Sequence, residues 1–355
     1  MRTLTASVVG GGMGGQLSMK ALAASERFTL AAAADLRPEI CEQLKEKFPG
    51  IRTYASHADM FADCPTDIVC VSTFAPSHEQ VALDALNLLP DLQGILVEKP
   101  LGHTAASGRR ILEHIQRRRL PMAVPHGLMA RQTPLDILQR VHSGEIGELK
   151  LVEIQNTKWD IINAGIHWLQ YFVMLTNNEP IDYVLGLSES STRTYRDGMQ
   201  VETTAVTYGQ TASGVRVVMN TGDNVLVNRE GKDTLFRLVG TAGQIEFWGW
   251  ENGYRFQNEH YPAGQLIVPT EMPVTGHRKH LERMAEQIDS GTVDYSIPES
   301  SLSALEIVEA SYLSSRHRCK VTFPFHAFTA PAEQPDWDPG EPYSGSGGGR
   351  DGRKL

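Results

Sequence analysis

The chain has little of what marks several protein classes. Its 355 residues include only four cysteines, none in a CxxC pair, so neither a disulfide framework nor a cysteine zinc site is expected. No apolar run reaches the ~18 residues that cross a bilayer, and the first residues lack a signal-peptide pattern. The net charge is −9, and basic residues form no stripe among aromatics. These absences predict a cytoplasmic protein with neither a membrane nor a nucleic-acid partner.

The sequence also has few residues at the spacings typical of metal ligands. The twelve histidines are scattered along the chain, and the nearest thing to a ligand pair is His277 with His280 at spacing i,i+3. No third ligand lies near them in sequence, whereas a structural zinc site needs four and a catalytic one three. The sequence therefore predicts no metal site.

The first part of the chain alternates strands and helices. Residues 1–126 contain short β-branched or apolar strands, at 5–9, 28–34, 68–72, 95–97 and 122–124, separated by helical stretches. Strands that alternate with helices predict a doubly wound, mainly parallel sheet of the Rossmann type. The predicted fold class is therefore α/β, with this domain at the N-terminus.

The pattern changes in residues 127–326. A helix is predicted at 161–176, followed by a strand-rich stretch that includes 201–211, and this indicates a second α/β domain with a large, mostly antiparallel sheet. Helices within 277–315 are candidates to pack back on the first domain. Residues 327–355 are rich in Pro, Gly and Ser, and we expect an arm that lies across a partner subunit of a homo-oligomer.

A glycine-rich loop follows the first predicted strand. In "VVGGGMGGQ", Gly10, Gly12 and Gly15 have the G-x-G-x-x-G spacing that lets backbone approach a pyrophosphate at a helix N-terminus, with Met13 inside the loop. Asp35 ends the second strand, where a carboxylate can accept hydrogen bonds from both ribose hydroxyls. Such a carboxylate repels a 2′-phosphate and favours NAD over NADP, although Arg37 could turn towards that phosphate.

A charged pair ends a buried strand in "ILVEKPLG". Glu98 and Lys99 follow three apolar positions and precede a proline that cannot continue the ladder. Dinucleotides bind outside the carboxyl ends of strands in such a sheet, so Lys99 is expected to reach the space before the nicotinamide. An ammonium there can stabilise an alkoxide as hydride leaves carbon. A surface ion pair at a strand end is the competing interpretation.

Six stretches resemble the glucose–fructose oxidoreductase / inositol dehydrogenase (Gfo/Idh/MocA) family, over roughly residues 4–324. In chain order they are the glycine loop, "STFAPSH", "EKPLG", "GLMARQTP", "NAGIHWLQ" and "VGTAGQIEF". The resemblance implies a Rossmann domain, a second domain with an open, largely antiparallel sheet, and oxidation or reduction of sugar or cyclitol hydroxyls. It also implies a nicotinamide-side loop, whose cofactor candidates are Ser72, Thr73, Pro76 and His78.

The chain departs from the family in the segment "NAGIHWLQ". Asn163 stands where the family usually carries aspartate, and Gln170 where a second aspartate is common. Asn163 and His167 are spaced i,i+4 and share one helix face, so both can point into a cleft. A histidine can exchange the substrate proton, and an asparagine can orient it without adding charge. The predicted catalytic residues are therefore Lys99, His167 and Asn163.

Other polar residues are predicted to line the substrate cleft. Besides Asn163 and His167, the candidates are His126, Arg131, Asn156, Lys158 and Trp159. Trp159 could stack on a sugar face, although a tryptophan at such a place is equally often part of a core.

Three functions are compatible with these patterns. The first is an NAD-dependent oxidoreductase acting on a secondary hydroxyl or keto group of a sugar, glycoside or cyclitol. The second is an NAD-dependent glycoside hydrolase that oxidises a sugar transiently, eliminates the aglycone and returns the hydride, which the asparagine at 163 would suit. The third is a non-catalytic sugar or NAD sensor. In each case the partners are a small carbohydrate and further copies of the chain, as a dimer or tetramer assembled through the second sheet and the arm.

Overall fold

The structure, a computed structural model, describes residues 2–189, 194–227 and 231–330. These residues fall into two compact units, residues 2–130 with 274–302 and residues 131–273 with 303–330. The first break therefore lies after residue 130, compared with 126 in the prediction. Most of the predicted arm, from residue 331 onwards, lies outside the described residues.

A six-stranded parallel sheet forms the centre of the first unit. Its strands are β1 (Leu4–Val9), β2 (Phe28–Ala34), β3 (Arg52–Tyr54), β4 (Ile68–Val71), β5 (Gly94–Val97) and β6 (Met122–Ala123). They lie in the order β3-β2-β1-β4-β5-β6, and every pair is parallel. The order reverses direction between β1 and β4, which is where sheets of this kind bind ligands.

Helices cover both faces of this sheet. They are α1 (Met13–Ala23), α2 (Pro38–Lys47), α3 (His57–Asp63), α4 (His78–Leu88) and α5 (Ala105–Arg117). Alternate residues of β5 enter different cores: Ile95 and Val97 lie in one hydrophobic cluster and Leu96 in the other. A strand buried on both faces must be apolar throughout, which explains the uninterrupted run before Glu98. The Rossmann-type part of the predicted fold class is confirmed.

The second unit is built on a nine-stranded sheet. The unit contains the helices α6 (Gln132–His142) and α7 (Ile166–Leu175). Its strands are β7 (Leu149–Thr157), β8 (Ile181–Glu189), β9 (Thr194–Arg196), β10 (Met199–Val201), β11 (Thr204–Thr211), β12 (Arg216–Gly222), β13 (Thr234–Gly240), β14 (Gly243–Phe247), β15 (Tyr254–Asn258), β16 (Gln265–Ile267) and β17 (Val321–Thr322). The sheet order is β16-β15-β14-β13-β7-β12-β11-β8-β17, and β9 pairs with β10 separately. Only β7 and β12 are parallel among its described strand pairs, so the mostly antiparallel sheet is confirmed.

Two long helices follow the large sheet in the chain. They are α8 (Gly276–Ser290), which belongs to the first unit, and α9 (Ser296–His317), whose residues up to 302 belong to the first unit and the rest to the second. Leu281, Met284 and Ala285 of α8 join the same hydrophobic cluster as Leu96. Among the described residues, no helix combines the length and apolar character needed to cross a membrane.

Two predicted elements differ from those observed. The predicted helix 161–176 begins as a π-helical turn, Ile161–Gly165, and becomes α7 only at Ile166. The predicted strand 201–211 is interrupted at Glu202 and Thr203, between β10 and β11. The two irregular segments are in contact: the Glu202 carboxylate accepts a hydrogen bond from the Ile161 amide, 2.7 Å away.

Candidate active site

The glycine loop connects β1 to α1 by a turn that side chains would block. Gly10 has a φ of +100°, in the left-handed region that favours glycine. A Cβ on Gly15 would lie 1.8 Å from the Gly10 carbonyl oxygen, so only glycine lets the helix approach the turn. A Cβ on Gly12 would meet no atom within 4 Å, which leaves open space beside the loop.

The N-terminus of α1 suits a pyrophosphate. Its N-cap residue is Gly12, which provides no side-chain cap, and the first turn carries no acidic residue. The helix thus presents uncapped N–H groups and a positive dipole end to the open space. The loop and helix have the form that a dinucleotide requires, with Gly12, Met13 and Gly15 positioned to hold it.

Asp35 ends β2 against the glycine loop. Its Oδ2 accepts hydrogen bonds from the Gly11 amide at 2.8 Å and from Arg37 Nη2 at 3.0 Å, and its Oδ1 accepts from Arg37 Nε at 2.9 Å and from the Arg37 amide at 3.0 Å. Burial opposes ionisation of Asp35, but the hydrogen bonds from Arg37 and Gly11 outweigh it and hold the pKa of the carboxyl below its usual value. A carboxylate has about four lone-pair sites. Ribose hydroxyls can therefore bind Asp35 only if the half-exposed Arg37 side chain turns away.

This arrangement predicts a reversal of cofactor preference. The native protein should bind NAD more tightly than NADP. Asp35→Asn should reverse that order, because it removes the repelling charge, keeps an acceptor for Gly11 and frees Arg37 to pair with a 2′-phosphate. The control Asp35→Asn/Arg37→Ala should bind both cofactors weakly. Titration of each protein with both cofactors measures this, and tighter NADP binding by the native protein would contradict it.

The segment after β4 contacts both neighbouring strand ends. A Cβ on Gly10 would lie 2.4 Å from the Ser72 carbonyl oxygen, so Ser72 borders the glycine loop. His78 is buried, with Nε2 at 2.9 Å from the Thr73 carbonyl and Nδ1 at 2.9 Å from the Pro100 carbonyl. Burial lowers the pKa of His78, so the neutral ring donates to only one of the two. Through its position beside the Pro100 carbonyl, His78 brings the segment containing Pro76 next to the one that follows Lys99.

Glu98 and Lys99 follow β5 at the same end of the sheet. Lys99 is partly exposed, whereas every other residue from Gly94 to Gly102 is buried. A Cβ on Gly14 would lie 3.0 Å from Glu98 Oε1, so Glu98 borders the start of α1. The Lys99–Pro100 peptide bond is cis. The predicted cofactor residues after β1, β2, β4 and β5 therefore come together around the switch point of the sheet.

Glu98 also has a partner that sequence reasoning missed. His277 Nε2, at the start of α8, lies 2.6 Å from Glu98 Oε1. Burial opposes ionisation of Glu98, but the hydrogen bond and charge of His277 and the charge of Lys99 outweigh it and hold the pKa of the carboxyl below its usual value. The two residues are 179 apart in sequence, and only the return of α8 to the first unit brings them together. The described residues contain no cluster of three or more potential metal ligands.

In the second unit, His167 is the accessible residue of a buried segment. All other residues from Ile161 to Gln170 are buried. Its ring lies edge-on to Trp250, with 5.7 Å between centroids and 80° between planes. Trp250 packs at 5.0 Å against Trp168 and keeps 42% of its surface exposed. A histidine and a partly exposed indole therefore lie side by side, a pairing that the sequence analysis did not predict.

The remaining substrate candidates have different environments. His126 is fully buried in the first unit, with Nε2 at 2.8 Å from Ser301 Oγ, and burial holds its pKa well below the usual value. Asn156 is buried in β7, where its amide donates to Thr234 Oγ1 at 2.6 Å. Both side chains are buried, and each forms its hydrogen bond within its own unit. Lys158 is exposed, with a φ of +65°.

Arg131 and Trp159 lie at the ends of elements in the second unit. Arg131 precedes α6, with Nη2 at 3.7 Å from Glu271 Oε1. The Trp159 ring lies under the Arg196 guanidinium, at 4.6 Å from the centroid. This cation–π contact gives Trp159 a structural partner and leaves Trp250 as the more open aromatic face near His167.

Comparison with known proteins agrees with this geometry. Residues 4–126 match the family GFO_IDH_MocA, described as an oxidoreductase family with an NAD-binding Rossmann fold. The chain is 28% identical over 202 residues to the rhizopine catabolism protein MocA of Rhizobium meliloti, covering 52% of this chain and 61% of that protein. It is 26% identical over 261 residues to inositol 2-dehydrogenase of Salmonella paratyphi B, covering 69% and 74%. The match thus spans only about three fifths of the MocA protein's length.

A solved structure shows the fold over nearly the whole chain. It is levoglucosan dehydrogenase in complex with NADH and L-sorbose, with a TM-score of 0.77 and 16% identity, and it covers 91% of this chain and 100% of that one. The fold and the geometry at the switch point are those of a dinucleotide-binding protein. The family model matches residues 4–126, in agreement with the predicted resemblance and with the predicted NAD-binding Rossmann domain.

Proposed function

We propose that this protein is an NAD-dependent oxidoreductase that interconverts a secondary hydroxyl and a keto group on a sugar, glycoside or cyclitol. The observation that carries the proposal is the position of Lys99. It is the accessible residue of a buried strand end, and it directly follows Glu98, which borders the glycine loop. The family match and the resemblance to inositol 2-dehydrogenase support the substrate class.

Each catalytic candidate has a role that follows from its chemistry. Bound NAD supplies the hydride acceptor. Lys99 donates a hydrogen bond to the reacting oxygen and stabilises the negative charge that develops there. The pair of Glu98 and His277 fixes the backbone before Lys99, because both side chains are largely buried and lie 2.6 Å apart. In the second unit, His167 accepts the hydroxyl proton in oxidation and returns it in reduction.

Trp250 supports a ring-shaped substrate. Sugars and cyclitols carry C–H groups on their ring faces and hydroxyls around their edges, so an exposed indole can pack on the face while a neighbouring histidine meets a hydroxyl. Trp250 and His167 have this relation, with ring centroids 5.7 Å apart. Trp159 is less suited to the role because Arg196 already lies over its ring.

The contribution of Trp250 can be measured as a change in KM. Trp250→Ala should raise KM for a responding sugar or cyclitol by about tenfold, as expected for one aromatic contact. It should change kcat little, since the indole does not act on the proton. Trp250→Phe, which keeps an aromatic face, should recover most of the affinity. An unchanged KM in Trp250→Ala would remove this residue from the substrate site.

The glycoside hydrolase alternative relied on the asparagine at 163. Asn163 Nδ2 donates a hydrogen bond to Asp160 Oδ1 at 3.1 Å. This contact explains why residue 163 is an asparagine without requiring a hydrolytic cycle. A panel of sugars, cyclitols and aryl glycosides, followed at once for NADH and for released aglycone, tests the two functions. NADH without aglycone release supports the oxidoreductase. Aglycone release without net NADH supports the hydrolase, and a response from neither supports a sensor.

We also propose that the protein works in the cytoplasm as a homo-oligomer. Leu187 of β8 and Val206 of β11 lie opposite each other in the sheet register, and both are exposed together with Leu185. Contiguous exposed apolar side chains on a sheet are typical of an interface. The mass of the full chain in solution measures the assembly.

A further inference from the structure

A buried set of charged side chains surrounds the start of the His167 helix. Asp160 caps the π-helical turn: its Oδ1 accepts from the Asn163 backbone N–H at 2.7 Å and from Asn163 Nδ2 at 3.1 Å. Asp160 and Asn163 are 3% and 6% exposed, so water cannot replace either contact readily. The Asn163 side chain therefore acts as a hydrogen-bond donor to a buried carboxylate.

Arg196 balances the charge of Asp160. The Arg196 guanidinium forms an ion pair with Asp160 Oδ2, and both side chains are almost completely buried. Arg196 also lies over the Trp159 ring. A buried charge is tolerated only when it is paired, so Asp160 and Arg196 depend on each other.

A second carboxylate adjoins the same turn. Glu202 Oε1 accepts from the Ile161 N–H at 2.7 Å, and its Oε2 accepts from the Tyr312 hydroxyl at 2.6 Å. Burial, together with the nearby charge of Asp160, raises the pKa of Glu202 to about 7. The cluster thus holds two carboxylates and one arginine, and its charge is balanced when Glu202 carries a proton.

We propose that Asp160, Arg196 and Glu202 form a positioning cluster for the turn that carries Asn163 and leads to His167, and that residue 163 must be a hydrogen-bond donor to Asp160. An aspartate at 163 would put a carboxylate where Nδ2 now donates, beside two acids that share one cation. The cluster fixes the first N–H groups of the turn, Ile161 and Asn163, and His167 follows one turn after Asn163. Asn163 is in this sense a positioning residue, and its kinetic role rests on the proposed function.

Four proteins test the proposal: the native chain, Asn163→Asp, Asp160→Asn and the double variant Asp160→Asn/Asn163→Asp. At pH 8, Asn163→Asp should lower Tm by roughly 5–10 °C, the scale expected for one uncompensated buried charge in a domain of this size. The loss should shrink at pH 5.5, where Glu202 and the new acid hold protons. The double variant restores one donor and one carboxylate, and should recover at least half of the loss.

Kinetics of the same proteins test positioning. Asn163→Asp should lower kcat more than it raises KM, with a deficit that grows from pH 6 to pH 8, and the double variant should reverse part of it. Adding Glu202→Gln to Asn163→Asp should also restore Tm at pH 8, because it removes one acid from the cluster. Additive losses in the double variant, or an Asn163→Asp protein with native Tm at both pH values, would overturn the proposal. If the Tm pattern holds but no protein, native included, turns over any substrate, the proposed function has failed and the cluster has not.

Discussion

Lys99→Ala should lower kcat by roughly 10²–10⁴, the range typical of a positioned acid–base or charge-stabilising group. NAD affinity should remain nearly native, because the pyrophosphate contacts come from the glycine loop and from the N-terminus of α1. Steady-state kinetics and an NAD titration on the same preparation measure the two effects. The split between them is the signature of a residue that acts on the reacting oxygen and not on the dinucleotide.

The control for this substitution is Lys45→Ala. Lys45 is half-exposed on α2 in the same unit, where it pairs with Glu42 at 2.7 Å, so its removal should leave kcat and NAD binding unchanged. Exposed pairs of this kind contribute little to stability. A Lys99→Ala protein that loses its fold but stays fully active in the folded fraction would show that Lys99 is only a surface ion-pair residue.

His167→Gln should lower kcat by roughly 10²–10³, because glutamine can still form a hydrogen bond but cannot carry the proton. His260→Gln is the matched control, since His260 lies exposed on a turn of the same unit. A His167→Gln enzyme with the native kcat would assign the proton to another group.

The site residues whose placement follows from the sequence are local in the chain. The glycine loop, Asp35 and Lys99 each stand directly after a strand, and a parallel sheet brings the carboxyl ends of its strands to one edge. The positions of the strands were therefore enough to predict that these residues lie close together. The sequence analysis predicted neither the short strand β3 nor helix α3. The three residues of β3, Arg52–Tyr54, are too few for a periodic pattern.

The contacts that were missed join residues far apart in the chain. Glu98 and His277 are 179 residues apart, and Glu202 and Tyr312 are 110 apart. Neither pair has a local pattern, because strand order and helix return determine which side chains meet. Asp160 did carry a local signal, since an aspartate three residues before a polar residue at a helix start is a capping pattern. A capping aspartate at 160 explains the asparagine at 163, because the Asn163 side chain donates a second hydrogen bond to the same carboxylate.

The structure also changes what one substitution can show. From sequence, a large loss of activity in Asn163→Asp would indicate specialised hydrolytic chemistry. The contacts of Asp160 predict the same loss from electrostatics alone, so this substitution does not separate an oxidoreductase from a glycosidase. The hydrogen on the reacting carbon separates them, in addition to the joint measurement of NADH and released aglycone.

The most direct test uses a responding sugar, glycoside or cyclitol that carries deuterium on the carbinol carbon that is oxidised. The full chain is incubated with NAD and this substrate, and both products are analysed by mass spectrometry. We predict one deuterium at the nicotinamide for each keto product formed, with the hydroxyl proton released to solvent. Deuterium retained in the sugar, with an aglycone released and no reduced cofactor, would contradict the oxidoreductase.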